Sequence, residues 1–226
     1  MEKCVKLTGQ EDHAITLATV NLLTKNYRRH AGADADWGGF IGKAALESLM
    51  APEAAVGIRY YYGIDVDGVC RLVLVGVDEN RNDLLKGAAL KLTLREPHHR
   101  YGRVLTSDAD HTVIPAEAAQ MTLRYRRSAA EGAVIGGYFG KAALKKLLAQ
   151  PECIGARYYF GQEDDGKPVI VLLGVDIVGR DLLEGVLLDL SMLCPPYCAD
   201  LNLLNSAERL SFPEEAEAAD CWKRSA

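Results

Sequence analysis

The chain reads as an α+β protein: a tandem duplication of an ααβββ unit, with helices packed on small antiparallel sheets and the copies related by a pseudo-twofold axis. Three observations predict this. The pattern from Asp12-His13 to Arg100 recurs without a gap from Asp110-His111 to Cys198, offset by 98 residues (110 − 12 = 98). Its blocks are specific. Gly42 to Leu46 (GKAAL) returns as Gly140 to Leu144, and Gly57 to Gly63 (GIRYYYG) returns as Gly155 to Gly161 (GARYYFG). Gly76-Val77-Asp78 with Asp83-Leu84-Leu85 returns as Gly174-Val175-Asp176 with Asp181-Leu182-Leu183. Each copy also passes from helical periodicity to runs rich in β-branched and aromatic residues.

Each copy opens with a helix. In the first it spans residues 17–30, capped by Thr16, with Leu17, Val20, Leu23 and Tyr27 as the core stripe. In the second, Pro115 takes the first helical position and Glu117 the third. Arg28-Arg29-His30 and Arg126-Arg127 put cations at the negative end of each helix. A glycine-containing linker follows (residues 31–39 and 128–137). A second helix is then predicted over residues 40–50 and 138–149, stopping before Pro52 and Pro151. Residues 58–62 and 158–160 read as strands, and Asp67-Gly68 and Asp165-Gly166 as tight reversals. Residues 72–77 and 169–175 are continuous apolar runs, suited to strands covered on both faces. Alternation of Ala88, Leu90, Leu92 and Leu94 predicts a third strand, although Asp83-Leu84-Leu85 could instead begin a short helix.

One such sheet leaves an apolar face open. Two copies can cover each other, as the subunits of an isologous dimer do. The expected units are residues 1–105, 106–200 and an acidic tail, 201–226, in one body.

The chain has 226 residues, 49% hydrophobic and 25% charged, the composition of an ordinary globular protein. Its net charge of −5 argues against a nucleic-acid partner. No apolar run approaches the roughly 20 residues that span a bilayer. The start lacks a hydrophobic signal core. A cytoplasmic protein with no membrane partner is the expectation. Six cysteines are too sparse for a disulfide scaffold, and Cys70 and Cys153 read as small core residues.

Candidate sites are few. Gly38-Gly39-Phe-Ile-Gly42-Lys43 and Gly136-Gly137-Tyr-Phe-Gly140-Lys141 resemble a phosphate-cradling loop. They are one residue short, Ala follows Lys, and no strand is predicted before them. Arg59 and Arg157, each beside tyrosines, are candidate anion ligands; the structural alternative is a salt bridge to a carboxylate such as Asp78 or Asp176. Asp78, Asn80 and Asn82 alternate oxygens as a calcium loop does, but the second copy lacks them, which favours a side-chain-stabilised turn. Cys194-Pro-Pro-Tyr-Cys198 stands opposite Glu96-Pro97-His98-His99-Arg100 and offers a zinc site, a redox pair or two ordinary thiols. His13 and His111 each follow an aspartate, with no recurring nucleophile near them.

The blocks from Gly136 through Lys141, Leu148 to Gly155, Arg157 to Gly161, Val171 to Asp176, Asp181 to Val186 and Cys194 to Cys198, continuing to Leu204-Asn205-Ser206, resemble an uncharacterised family of bacterial proteins. The resemblance covers nearly all of the second copy, and the first matches it without the C-terminal cysteines. It implies no activity, cofactor or site residue.

The functional expectation is a non-catalytic protein-interaction or assembly module, binding another protein or a second copy of itself. Two alternatives stand beside it. One is a small-molecule or anion-binding protein, possibly an enzyme, using Arg59 and Arg157 between the halves. The other is a thiol or zinc site at Cys194 and Cys198. No cofactor is specified.

Overall fold

Glycine-rich segments that lack any strand periodicity turn out to hold the two halves together. The computed structural model describes residues 6–31, 35–85, 90–95 and 105–206. In the first half the elements are α1 (Leu17–His30), β1 (Gly38–Gly42), α2 (Lys43–Met50), β2 (Gly57–Ile64), β3 (Cys70–Val77), β4 (Leu90–Leu92) and β5 (Leu94–Arg95). In the second they are β6 (Thr112–Val113), α3 (Pro115–Ser128), β7 (Gly136–Gly140), α4 (Lys141–Leu148), β8 (Gly155–Gln162), β9 (Pro168–Val175), β10 (Leu187–Leu188) and β11 (Met192–Cys194). The first helix is as predicted: Thr16 accepts the Thr19 amide at 3.2 Å.

The predicted linker and second helix are corrected. Gly38–Gly42 and Gly136–Gly140 are strands, and the helices begin only at Lys43 and Lys141. Three glycines in five residues hide a strand from any propensity argument; they mark close backbone approach. A Cβ at Gly38 would overlap the Tyr158 carbonyl, and one at Gly136 the Tyr60 carbonyl. The third strand is also corrected. It is split into β4 and β5, which join different sheets, and Asp83 forms an isolated bridge to Val77 rather than starting a helix. Ala88 lies outside the described residues.

Each sheet is built from both halves. One has the order β10-β9-β8-β1-β5 and the other β11-β7-β2-β3-β4-β6, and every pairing is antiparallel. The exchange is reciprocal. Gly38 pairs with Tyr159 and Gly42 with Gly155, while Gly136 pairs with Tyr61 and Gly140 with Gly57. The helices are exchanged too: α1 packs on β8 and α3 on β2.

Alternation along the strands then divides the core. Tyr60, Tyr62, Leu72 and Leu74 join Tyr158, Phe160, Ile170, Leu172 and the apolar faces of α2 and α4 in one cluster shared by the halves. Their neighbours Tyr61, Val73 and Val75 point the other way, onto Ala118 and Met121 of α3. Tyr159, Val169, Val171 and Leu173 likewise meet Val20 and Leu23 of α1. Both long hairpins are therefore buried on two faces, as their unbroken apolar runs require.

Expressed alone, residues 1–105 lose β8 from beside β1 and β7 from beside β2. Neither half alone is expected to give a dispersed amide NMR spectrum, whereas the two co-expressed give the spectrum of the whole chain. A well-folded monomeric half would contradict the exchange.

Candidate functional site

The Gly-Lys segments carry their glycine amides to histidines. Gly42 N–H donates to His111 Nε2 and Gly140 N–H to His13 Nε2, each at 2.9 Å. Since Nε2 accepts, the proton sits on Nδ1, which donates to Leu92 O at 2.9 Å in His111 and to Leu190 O at 3.0 Å in His13. The next amides are taken as well: Lys43 by Ile154 O and Ala44 by Ser107 O, both at 2.9 Å, and Lys141 by Val56 O and Ala142 by Gly9 O, both at 2.8 Å. A phosphate-cradling loop needs these donors unoccupied; here they join strand to helix and half to half.

The two lysines line a groove of about 550 Å³ between α2 and α4, with Glu47, Lys145, Met50 and Leu148. Lys43 Nζ donates to Leu148 O at 2.8 Å and Lys141 Nζ to Ala55 O at 3.1 Å. The first of these sets a cation on the carbonyl end of the opposing helix, where the dipole favours it.

Arg59 and Arg157 are buried ion-pair partners, and the carboxylates are not the two named from the sequence. Arg59 Nη1 binds Asp83 Oδ1 and Arg157 Nη1 binds Asp181 Oδ1. The second carboxylate oxygen accepts a tyrosine hydroxyl in each half, Tyr61 on Asp83 and Tyr159 on Asp181, both at 2.6 Å. Asp78 and Asp176 instead cap turns, each accepting two backbone amides on Oδ1 at 2.8–2.9 Å. That fixes both turns with the same chemistry despite their different sequences.

The first pair is sealed from water, both side chains being 0% exposed; in the second, Asp181 is 15% exposed. The seal is the C-terminal segment. Tyr197 O accepts from Arg59 Nη2 at 3.3 Å, and Asn202 Nδ2 donates to Asp83 Oδ2 at 2.9 Å. Leu204 is fully buried against the α3 cluster, so the tail begins later than residue 201.

Cys194 and Cys198 are joined in a disulfide within this segment, which replaces the expectation of two ordinary thiols. His98 and His99, the other half of the zinc reading, lie outside the described residues. Cys153 is a buried free thiol, its Sγ donating to Gly155 O at 3.2 Å. Cys70 is half-buried and disulfide-bonded, not a free core thiol.

Sequence reasoning missed Asp83 and Asp181 as ion-pair partners, although both recur in the repeat. It also passed over Asp189, which is 4% exposed with one oxygen lacking a hydrogen-bond partner. Burial pushes its carboxyl up to about 6, against the opposing pull of the Leu190 and Ser191 amides. Burial lowers the pKa of both His13 and His111.

The surface holds a second groove. About 310 Å³ in volume, it lies between the β2–β3 turn and the start of α3, lined by Asp65, Val66, Ile114, Glu117, Gln120 and Met121, among others. Val66 is 77% exposed and Ile114 63%. At the positions equivalent by the repeat (offset 98) stand Asp164 in the second half and Thr16 in the first. There Asn26 ties the turn to α1 by donating to Asp164 Oδ1 at 2.8 Å, and Thr16 caps the helix. Ile114, in the N-cap position of α3, makes no cap bond.

Arg59→Met leaves Asp83 buried without its cation and is expected to cost about 3–5 kcal/mol in urea unfolding. Arg157→Met costs less, and Arg59→Met with Asp83→Asn recovers at least about half of the loss. Stability also depends on pH through three buried groups. The lowered histidines contribute stability above pH 6.5 that is lost as pH falls through their folded values. Asp189, raised from 3.8 to about 6, contributes below 3.8 and loses that contribution as pH rises through 6. Asp189→Asn should therefore gain on wild type by up to about 3 kcal/mol between pH 3 and 7, and a pH-independent difference would refute the assignment. Among the described residues no helix is long and apolar enough to cross a membrane. The chain matches no protein-family model, no curated protein and no solved structure.

Proposed function

We propose that the chain is a non-catalytic protein-interaction or assembly module whose contact surface is the groove between the β2–β3 turn and α3. The observation that carries this is Ile114. An isoleucine in an N-cap position forgoes a side-chain hydrogen bond worth about 1 kcal/mol and exposes apolar surface instead. The sibling helix keeps its cap at the same place with Thr16. Local stability is thus given up beside a second exposed apolar residue, Val66, as happens at sites selected for contact. The turn that presents Val66 is held by Asp65, whose Oδ1 accepts the Asp67 and Val69 amides at 3.0 and 2.9 Å. Such rigidity lowers the entropy cost of binding.

The anion-binding alternative has less support, because Arg59 and Arg157 are engaged with Asp83 and Asp181. A thiol or zinc function at Cys194 and Cys198 has less support because those sulfurs are bonded to each other. Membership of the bacterial family that the sequence resembles belongs to the same proposal; cytoplasmic placement has less support, because Cys70, Cys194 and Cys198 are disulfide-bonded and such bonds persist in oxidising surroundings.

A photo-crosslinking residue at Ala116, inside the groove, is expected to give one discrete adduct in the source cell. Ile114→Thr with Val66→Asp should reduce that adduct about tenfold, while Ile114→Thr by itself raises thermal stability. A pattern identical to that from position 146, on exposed Lys146, would overturn the reading.

A further inference from the structure

Resting on that reading of the groove, we infer that its occupant is a second copy of this chain, which inserts the apolar turn at Ile177 and Val178. This turn follows β9 and is another contrast between the halves. Ile177 is 70% exposed and Val178 67%, whereas the equivalent residues of the first half are Glu79 and Asn80. The fold accepts polar side chains here, as it accepts Asp164 and Thr16 at the positions of Val66 and Ile114. All four apolar residues are therefore dispensable to folding. They fall into two sets, one lining a hollow and one capping a projection.

The projection is built to keep its shape. Asp176 N–H donates to Arg180 O and Gly179 N–H to Asp176 O, both at 2.9 Å, while Asp176 Oδ1 accepts the Val178 and Arg180 amides. Gly179 takes the left-handed conformation that closes the turn (φ 82°). Charge agrees as well. Arg180, its side chain 76% exposed and its Nε on Asp176 Oδ2 at 2.9 Å, stands next to the apolar pair, and the groove is lined by exposed Glu117 and by Asp65, which pairs with Arg71, together with Arg124. With Ile177 and Val178 between Val66 and Ile114, the outer nitrogens of Arg180 face Glu117, and apolar surface meets apolar surface.

The groove, formed by Val66 of the first half and α3 of the second, and the turn after β9 are different patches of the chain, so the contact is head-to-tail. Each chain offers one projection and one hollow, and such a contact propagates unless its rotation closes a ring. The buried area of two side chains makes it a weak, concentration-dependent association.

Sedimentation velocity of the purified chain tests this. The wild type is expected to rise above its 24.6 kDa monomer mass, past the dimer, between about 10 and 500 µM. Two variants graft the sibling residues: V66D/I114T removes the hollow, and I177E/V178N removes the projection. Each alone should stay monomeric. Mixed one to one they should form a heterodimer and nothing longer, because one complete hollow and one complete projection remain. A wild type monomeric throughout, self-association persisting in either variant, or a mixture that does not pair would each overturn the proposal. The crosslink at position 116 separates this from failure of the groove itself. An adduct with a different protein, lost in V66D/I114T, sinks self-assembly and leaves the interaction reading standing; no discrete adduct sinks both.

Discussion

Everything in this fold depends on how closely two backbones approach at the glycine strands. β1 lies against β8, and β7 against β2, at a separation that no side chain larger than hydrogen permits at Gly38 and Gly136. The next glycine of each strand lies under an aromatic ring from the other half: a Cβ at Gly39 would meet the Tyr158 ring, and one at Gly137 the Tyr60 hydroxyl. Those tyrosines are thereby placed in the shared core, where Tyr60 bonds Ser191 Oγ at 2.9 Å and Thr93 Oγ1 donates to Tyr158 at 3.3 Å. The last glycine of each strand hands its amide to a histidine, and the helix that follows starts with its amides already paired across the halves. Strand exchange, aromatic core and helix entry are one connected arrangement.

This connection explains what could and could not be read from residues alone. Helices α1 and α3 were legible because caps, periodicity and terminal cations all act within a few residues. The long hairpins were legible because burial on both faces leaves an unbroken apolar run, as in Leu72 to Val77. The strands β1 and β7 were not. Their reason for being strands lies in Tyr158 and Tyr60, about a hundred residues away in sequence, and glycine has no side chain through which to announce it. The arginines were only half legible. A guanidinium beside tyrosines in a strand calls for a carboxylate, yet Asp78 and Asp83 are equally near in sequence. Only the turn geometry decides that Asp78 caps backbone amides while Asp83 faces Arg59.

The buried ion pairs show the same interior used twice with different covers. Arg59, Asp83 and Tyr61 are closed over by the Tyr197 carbonyl and the Asn202 amide, from a segment cross-linked between Cys194 and Cys198. Removing water from such a pair is costly unless its hydrogen-bonding capacity is filled. Asp83 meets that condition, with Arg59, Tyr61 and Asn202 on its two oxygens. The disulfide also bears on where the chain works. Bonds of this kind persist in oxidising surroundings, so Cys194–Cys198 and the cross-linked Cys70 weigh against a cytoplasmic placement.

A chain with two like halves carries its own comparison, and that comparison separates fold from surface. Where the halves agree, as in Arg59 and Arg157, His13 and His111 or Gly38 and Gly136, the same contacts are made twice, and the residue is accounted for by packing. Some disagreements inside the core are conservative: Tyr62 for Phe160, Leu72 for Ile170. Another kind falls on the surface. Val66 stands for Asp164, Ile114 for Thr16, Ile177 for Glu79 and Val178 for Asn80, each time apolar and exposed in one half and polar in the other. Folding gives no reason for such a choice, since the polar half folds with the same strands and turns, and water opposes it. Residues that cost solvation and add nothing to the core are the ones that the proposed contact would cover.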